Sequence, residues 1–272
     1  MKRANLLASF MFDLNVRPSR TMYRLSKTMS INPIFQRLAL ITGEETLAKF
    51  SRAGVLVFGA GGVGSWCIEA LVRSGIGKIG IIDFDTVCIS NVNRQLQATT
   101  LTVGLPKAEV LKRRLLEINP ECDITVWNQM FCRETSGIFG IENADYVIDA
   151  IDSVSCKIDL IETVCAAGRK LFSSMGMARK MDPSKIKIAQ IWETRGCPLA
   201  RLVRQGLRKR GFSGSFTVVY SEEALPIHEE SACEPADTAA GKKTVNGSAV
   251  TVTAAGGMFL ASLVLRDIME RS

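Results

Sequence analysis

The sequence has 272 residues, 47% of them hydrophobic and 22% charged, which is enough to bury a sizeable core in one large domain or in one domain with a small appendage. The net charge is +7 and the only histidine is His228, which argues against a mechanism that needs a pair of histidines. None of the eight cysteines forms a C-x-x-C pair, so the sequence offers no obvious ligand pairs for structural zinc.

The first 31 residues form a basic leader. Residues 1–36 carry six Lys or Arg residues against a single acid, Asp13. An Arg-rich, acid-poor start with several serines is typical of a mitochondrial transit peptide, but it is also compatible with a disordered leader or with a true start at Met22 or Met29. We predict that residues 1–31 are disordered. The cysteine usage is that of a reduced chain and predicts a cytoplasmic protein, or a mitochondrial one if the leader is a transit peptide.

From residue 32 onwards, strands alternate with helices. The spacing predicts a helix over 36–50 with a break at Thr42 and Gly43, and further helices over 65–74, 107–119 and 155–167. Short apolar runs predict strands at 55–58, 78–83, 124–128, 146–150 and 170–174. This alternation predicts a Rossmann-type α/β fold, with a mostly parallel sheet flanked by helices.

After residue 181 the pattern changes to a C-terminal extension over about 182–272. The alternating residues 185–192 predict an antiparallel strand, followed by a basic helix over 198–209, a strand over 217–220 and a long polar loop over 222–247. The final apolar run, 249–265, has about 17 residues and is diluted by Thr, Gly and Ser, whereas a membrane span needs about 20 residues. We therefore predict a buried C-terminal helix, interrupted at Gly256 and Gly257, and no clear membrane span.

A glycine-rich turn joins the first strand to the following helix. Its glycines stand at positions 59, 61, 62 and 64, so that backbone N–H groups can approach phosphates at the positive end of the helix. Asp83 comes about twenty residues later at the tip of the second strand, where a carboxylate holds ribose hydroxyls in dinucleotide-binding folds. The turn and Asp83 together predict a nucleotide site.

The residues that follow differ from those of an ordinary dehydrogenase. Asn91, Arg94 and Gln95 crowd beside the predicted nucleotide, and Lys107 opens the next helix. The two cations, Arg94 and Lys107, suit the cleavage of a phosphoanhydride, because negative charge builds up on the α-phosphate and on the departing pyrophosphate. Asp152 follows the fourth strand on the same edge of the sheet and could hold the magnesium that accompanies ATP. In isolation, each of these side chains could equally be a solvated charge or a helix cap.

Three stretches resemble the adenylating enzymes of the ubiquitin-activating superfamily. They are GAGGVGSWCIEALVRSGIGKIGIIDFDTVCISNVNRQ from Gly59, VGLPKAEVLKRRLLEINP from Val103, and YVIDAIDSV from Tyr146. The resemblance covers about residues 36–180. The GGVGSW turn, the phrase VIDAIDSV, the later SEE and the closing GSAVTVTAAGG make the chain most similar, within that superfamily, to the tRNA threonylcarbamoyladenosine dehydratases.

The resemblance implies a role for each candidate residue. The four glycines would line the phosphates, Asp83 would hold the ribose, and Asp152 would bind Mg²⁺. The triphosphate and its transferring α-phosphate would be bound by Asn91, Arg94, Gln95 and Lys107. Arg37 would reach the ATP of the partner subunit, which would make a homodimer necessary. A sulfur-acceptor protein of a cysteine desulfurase system is a possible further partner.

Two substrates remain open within this superfamily. Activators of small sulfur-carrier proteins commonly carry paired zinc cysteines, which are absent here, and often use a thioester cysteine, for which Cys197 is the one candidate. The run 195–210 holds six Lys or Arg residues and no acid, with Arg204 and Arg208 on one helical face, and such a patch suits the backbone of tRNA. We therefore expect an enzyme that adenylates and cyclises threonylcarbamoyladenosine in tRNA, with the carrier-protein activator as the alternative. The 222–247 loop is a candidate lid over the site.

Overall fold

The computed structural model describes residues 32–224 and 246–271. The predicted leader and most of the predicted lid loop therefore lie outside the described residues. Within the described ranges, seven strands and seven α-helices follow one another along the chain. In order they are α1 (Gln36–Thr42), α2 (Glu44–Arg52), β1 (Gly54–Phe58), α3 (Gly64–Arg73), β2 (Lys78–Ile82), α4 (Lys107–Ile118), β3 (Asp123–Trp127), β4 (Tyr146–Asp149), α5 (Val154–Ala166), β5 (Lys170–Ser174), β6 (Ile186–Gln190), α6 (Pro198–Lys209), β7 (Thr217–Ser221) and α7 (Val250–Glu270).

The strands of the described residues form one sheet in the order β3-β2-β1-β4-β5-β7-β6. All neighbouring strands are parallel except β6 and β7, which pair antiparallel at the edge. The predicted α/β fold with a mostly parallel sheet and an antiparallel C-terminal extension is thus confirmed. The strand order reverses beside β1, because β2 lies on one side of it and β4 on the other. Ligands of open α/β sheets bind outside the carboxyl ends of the strands at such a switch point.

The sheet is covered on both faces, as its apolar strands predict. Val55 and Val57 of β1 belong to the core shared with α3, α4 and α7, whereas Leu56 and Phe58 belong to the core shared with α5 and α6. Successive side chains of a strand point to opposite faces, so a strand covered on both faces reads as a continuous apolar run.

Two predicted helix interruptions have different outcomes. The break after Thr42 is confirmed, because Gly43 has a φ of 79° and separates α1 from α2. The predicted interruption at Gly256 and Gly257 is wrong, because α7 runs continuously from Val250 to Glu270. A Cβ atom at Gly257 would lie 2.5 Å from the Val63 carbonyl oxygen, so this glycine allows α7 to approach the start of α3 closely.

Helix α7 packs as a core helix of the fold. Val252, Leu260, Ala261 and Val264 are buried in the core that α7 shares with α3. Its 21 residues have a mean hydropathy of 1.4 over their most apolar window, so its length and composition alone would also allow it to cross a membrane.

A buried carboxylate joins α3 to α4. Glu69 accepts hydrogen bonds from the Arg114 Nε at 2.6 Å and from the Arg73 Nε at 2.8 Å. Burial by itself raises the pKa of Glu69, but the hydrogen bonds from Arg114 and Arg73 outweigh it and hold that pKa below its usual value. The ionised carboxylate therefore stabilises the fold above a pH of about 4, and the contribution is lost as the pH falls through the lowered pKa.

Replacing Glu69 with glutamine is expected to lower the free energy of unfolding at pH 7 by about 1–2 kcal/mol, because the charge-assisted bonds to Arg114 and Arg73 are weakened. Urea titrations should show this difference shrinking as the pH falls below about 4. The exposed Glu142→Gln is the control and should leave the unfolding curve unchanged. A Glu69→Gln deficit of equal size at pH 7 and pH 3 would contradict the assignment.

Candidate nucleotide site

The glycine turn follows β1 and opens α3. Gly59 has a φ of 95°, and a Cβ atom there would lie 2.7 Å from the Ala150 carbonyl oxygen. A Cβ atom at Gly64 would lie only 1.8 Å from the Gly59 carbonyl oxygen, so both positions accept glycine alone. Gly61 and Gly62 face the segment that follows β2, since Cβ atoms at these positions would approach the side chains of Gln95 and Arg94, respectively. The turn directs the N-terminus of α3 towards the switch point, an arrangement that favours phosphate binding.

Asp83 follows β2 and is tied to this turn. Its Oδ2 accepts a hydrogen bond from the Ala60 N–H at 2.6 Å, and its Oδ1 accepts one from the Asp85 N–H at 2.9 Å. Burial raises the pKa of Asp83, against the opposing effects of Lys107 and of the two backbone donors. Each carboxylate oxygen retains a lone pair, so Asp83 can accept two further hydrogen bonds from vicinal hydroxyl groups.

The segment between β2 and α4 brings the four predicted phosphate ligands to the same edge of the sheet. Lys107 begins α4 and is 6% exposed, and its Nζ donates to the Asp85 Oδ2 at 2.7 Å. Asn91 and Gln95 are also buried: the Asn91 Oδ1 accepts from the Cys88 N–H, and the Gln95 Oε1 accepts from the Gln97 Nε2. The Asn91 carboxamide thus stabilises its own turn, a structural role that its motif position did not indicate.

Arg94 is the most accessible of these four residues. Its Nη1 donates to the Ser90 carbonyl oxygen at 2.7 Å and to the Asn93 Oδ1 at 3.0 Å. Its backbone carbonyl accepts from the Trp66 Nε1 at 3.0 Å, which fixes the segment against α3. Nε and Nη2 of the guanidinium make no hydrogen bond to the described residues, so donors remain for phosphate oxygens.

Two aspartates follow β4 and have different environments. Asp152 is exposed at the carboxyl edge, where the sequence predicts it. Asp149 is completely buried and forms an ion pair with Lys157, whose Nζ lies 2.7 Å from its Oδ2. Only the contact between α5 and the end of β4 reveals this pair, because Lys157 in an apolar helix pattern carries no motif of its own.

Arg37 does not join these residues. It is exposed on α1, and this helix begins directly after Phe35, whose ring lies within 3.6 Å of the Cβ position of Gly75. Gly75 precedes β2, so α1 lies at the amino edge of the sheet, opposite the glycine turn. Leu40 and Ile41 on the same short helix are each 80% exposed.

Helix α6 is basic as predicted, but several of its cations have partners within the fold. The Arg204 Nη1 donates to the Thr194 carbonyl oxygen at 3.0 Å, and the Arg208 guanidinium stacks 5.3 Å from the Trp192 ring centre. Arg210, just after α6, forms ion pairs with Asp159 and Glu162 of α5. The run itself contains no acid, as the sequence shows, but Arg210 is compensated by acids of the neighbouring helix α5. Arg201 and Lys209 are exposed and form no ion pair within the described residues.

Cys197 precedes α6 and is 5% exposed. A Cβ atom at Gly176 would lie 3.3 Å from its Sγ, so the thiol packs against the loop that follows β5. A thiol buried in this way is not accessible to a carrier protein, which counts against Cys197 as a thioester site.

Comparisons with known proteins agree with this geometry. The ThiF family model matches residues 35–271. The tRNA threonylcarbamoyladenosine dehydratase of Bacillus subtilis (strain 168) is 38% identical over 240 residues, which span 87% of this chain and 94% of that protein. The solved structure of E. coli tRNA N6-threonylcarbamoyladenosine dehydratase in complex with ATP matches with a TM-score of 0.76 and 35% identity, covering 87% of this chain and 94% of that one.

The carrier-activating branch is more distant. The adenylyltransferase and sulfurtransferase MOCS3 of Aedes aegypti is 36% identical over 128 residues, which span 47% of this chain and 29% of that protein.

The fold and the site define a nucleotide-binding protein of the doubly wound α/β class, with a glycine turn, the Asp83 carboxylate and a cationic segment at one switch point. The match over nearly the whole described fold shows which proteins of this class it is related to: the chain belongs to the ThiF family.

Proposed function

We propose that this chain is an ATP-dependent tRNA-modifying enzyme, a threonylcarbamoyladenosine dehydratase. The observation that carries the proposal is the convergence of the glycine turn, Asp83, Arg94 and Lys107 at one switch point, in a chain that matches named dehydratases along 94% of their length. This set suits an adenylate-forming reaction better than hydride transfer, because it brings two cations to the edge of the sheet where the phosphates are proposed to bind.

Different residues of the site bind the nucleotide and stabilise the charge that develops in the first step of the reaction. The amides of the glycine turn bind the phosphates, and Asp83 accepts hydrogen bonds from the ribose hydroxyls. The threonine carboxylate attacks the α-phosphate, the bond to the β-phosphate breaks, and pyrophosphate leaves. Arg94 and Lys107 stabilise the negative charge that develops in this step.

Ring closure follows on the acyl-adenylate. The ureido nitrogen attacks the acyl carbon and loses its proton, and AMP leaves with one former carboxylate oxygen. The net change in the nucleoside is the loss of water. Water must be kept away from the adenylate during this step, because hydrolysis would regenerate the open side chain.

Asp152 is the proposed Mg²⁺ ligand. No group of three or more His, Cys, Asp or Glu residues that could hold a metal occurs in residues 32–224 and 246–271. A single carboxylate together with substrate phosphates is nevertheless a common way of binding Mg²⁺, and exposed Asp152 at the carboxyl edge fits it. When bound, the ion would neutralise phosphate charge.

The direct test is nucleoside mass spectrometry of tRNA incubated with the protein, ATP and Mg²⁺. We expect a product lighter than threonylcarbamoyladenosine by one water, formed only when ATP is present. Unchanged tRNA together with adenylation of the C-terminus of a small sulfur-carrier protein would establish the alternative function.

The exposed cations of α6 are proposed to contact the tRNA backbone. Replacing Arg201 and Lys209 with alanine is expected to raise the KM for tRNA about tenfold and to lower the salt slope of log K by about two, one for each lost phosphate contact. The affinity for ATP should not change, because both side chains are exposed and α6 packs on the opposite face of the sheet from α3.

The control for this pair is Lys112→Ala with Arg113→Ala, which removes the same charge from α4 on the other face of the sheet. Substitutions at Arg204 and Arg208 would not isolate RNA binding, because their contacts to Thr194 and Trp192 also stabilise the fold. An unchanged KM and salt slope in the α6 variant would show that the helix is only a solvated surface.

A homodimer is proposed from the position of Arg37. Its helix lies at the amino edge of the sheet, so Arg37 could reach a nucleotide only in another subunit. The exposed apolar side chains of Leu40 and Ile41 beside it would be covered by such a contact.

Subunit mixing tests this arrangement. Arg37→Ala and Lys107→Ala homodimers should each be inactive, whereas hybrids contain one intact site out of two. Random exchange makes half of the dimers hybrid, so the mixture should recover about a quarter of the wild-type activity. The absence of recovery after subunit exchange has been verified by native mass spectrometry would exclude a role in trans.

A cytoplasmic location and a sulfur-acceptor partner are also proposed. Free cysteines throughout the described residues fit a reducing compartment. Imaging of the full chain beside a variant that starts at Met29 would show whether the leader directs the protein to mitochondria.

The sulfur-acceptor partner has its own test, which is affinity capture with a purified sulfur acceptor.

A further inference from the structure

A buried polar cluster lies directly behind the site, where β4, β5 and α5 meet. Lys157 is completely buried, and its Nζ donates to the Asp149 Oδ2 at 2.7 Å, to the Ser174 carbonyl oxygen at 2.9 Å and to the Ser173 Oγ at 3.4 Å. The Ser173 Oγ also donates to the Asp149 Oδ2 at 2.6 Å. All three ammonium protons are thus used, and the ends of two parallel strands are joined to the first turns of α5.

The cluster holds the loop that leads to Asp152. The Asp149 Oδ1 accepts a hydrogen bond from the Ile151 N–H at 3.1 Å. Ala150, between them, donates its N–H to the Phe58 carbonyl oxygen at 2.8 Å and packs on the glycine turn, because a Cβ atom at Gly59 would lie 2.7 Å from its oxygen. The position of the loop 150–152 therefore depends on the carboxylate of Asp149, and the orientation of that carboxylate depends on Lys157.

The stability of the fold does not by itself explain such a pair. Two fully buried charges lose their hydration, and replacing a buried ion pair with apolar residues of similar volume is often neutral or stabilising. An ion pair is more directional than an apolar contact, so it can fix one orientation of the Asp149 carboxylate and of the backbone that it binds. Asp149 and Lys157 touch no position assigned to the nucleotide, so any effect on the reaction passes through the loop.

We infer that Lys157 and Asp149 are positioning residues. They fix the position of the loop 150–152 against the glycine turn, and this position places Asp152 beside the phosphates. This inference rests on the proposed function for its catalytic consequence, but its structural part concerns the ligand-free protein alone.

The test removes both charges together. Asp149→Asn with Lys157→Met keeps an oxygen acceptor for the Ile151 N–H and fills the space of the lysine stem. The matched control is Glu69→Gln with Arg114→Met, which removes the ion pair between α3 and α4. Ser173→Ala is a milder variant, since it removes one hydroxyl group from the cluster and leaves the ion pair in place.

Hydrogen exchange of the ligand-free proteins is the first measurement. In the Asp149/Lys157 variant we expect exchange at residues 150–153 to accelerate at least about tenfold, with global unfolding little changed, and in Ser173→Ala we expect about a threefold acceleration at the same residues. The control pair should leave this loop unchanged. Wild-type exchange in the loop of both cluster variants, or acceleration spread evenly over the chain, would overturn the inference.

The second measurement is steady-state kinetics with tRNA, ATP and varied Mg²⁺. The Asp149/Lys157 variant should lose at least about tenfold in kcat, need more Mg²⁺ for half-maximal rate and keep its KM for tRNA, whereas the control pair should keep all three values. Wild-type kinetics in a variant whose loop exchanges faster would overturn the link to catalysis. If the wild-type protein leaves tRNA unmodified, the proposed function fails, while the exchange result still decides whether the cluster positions the loop.

Discussion

Replacing Gly64 with alanine is expected to weaken ATP binding by more than about 100-fold. A Cβ atom at this position would lie 1.8 Å from the Gly59 carbonyl oxygen, and the same methyl group would press on the Ala150 side chain. The turn can relieve such an overlap only by moving backbone, which would turn its N–H groups away from the phosphates. Titration calorimetry with ATP and with AMP measures the loss.

The exposed Gly137 provides the control, because no atom lies within 4 Å of its Cβ position and Gly137→Ala should bind ATP normally. If Gly64→Ala does not fold, Gly62→Ala gives a milder test. Its Cβ would lie 3.3 Å from the Thr253 Cβ and 3.4 Å from the Arg94 Cγ, a contact that displaces side chains rather than backbone. Full ATP affinity in Gly64→Ala would show that the phosphates bind elsewhere.

The second large effect is expected at Arg94. Removing a preorganised donor for charge that develops in the transition state costs about 100-fold to 1000-fold in kcat. Arg94→Ala should lose that much, while the affinity for ATP falls by less, because the glycine turn and Asp83 still bind the nucleotide. Arg94→Lys should recover only part of the rate, since an ammonium group lacks the forked donors of a guanidinium.

Pyrophosphate release with saturating tRNA and ATP measures this rate, and Arg113→Ala on the surface of α4 controls for the loss of a positive charge. A kcat within threefold of wild type in Arg94→Ala would mean that Arg94 has only a structural role, in which its hydrogen bonds to Ser90 and Asn93 stabilise the segment that contains it.

The parts of the site that the sequence predicted are those that depend on local backbone. A short apolar run followed by closely spaced glycines specifies a strand, a tight turn and a helix start within a few residues. Asp83 follows β2, about twenty residues after the glycine turn, which is the length of one helix and one strand. Parallel strands bring their carboxyl ends to one edge of the sheet, so Asp83 lies beside the turn. For these reasons the glycines, Asp83, Arg94 and Lys107 converge as expected.

The parts that the sequence did not predict depend on side-chain contacts between different elements of the fold. The partner of Lys107 is Asp85, from the loop before it, and the partner of Lys157 is Asp149, from the preceding strand. For Arg210, a search for acids one turn away on the same helix could not find Asp159 and Glu162, which belong to α5. The position of β7 between β5 and β6 likewise depends on how the strands pair in the folded sheet, and not on their order along the chain.

The close approach of α7 to α3 has a consequence for how the protein is made. The outer wall of the glycine turn comes from α7 and the residues just before it: Thr253 faces Gly62, Gly257 lies against Val63, and the Ser248 carbonyl oxygen accepts from the Asn93 Nδ2. During synthesis, β1, α3 and β2 emerge from the ribosome long before this helix and can form only an incomplete nucleotide turn. Contacts between such distant parts of a chain form late in folding. Nucleotide binding should therefore begin only after α7 has been synthesised and has packed against α3, and a variant chain without α7 should not bind ATP.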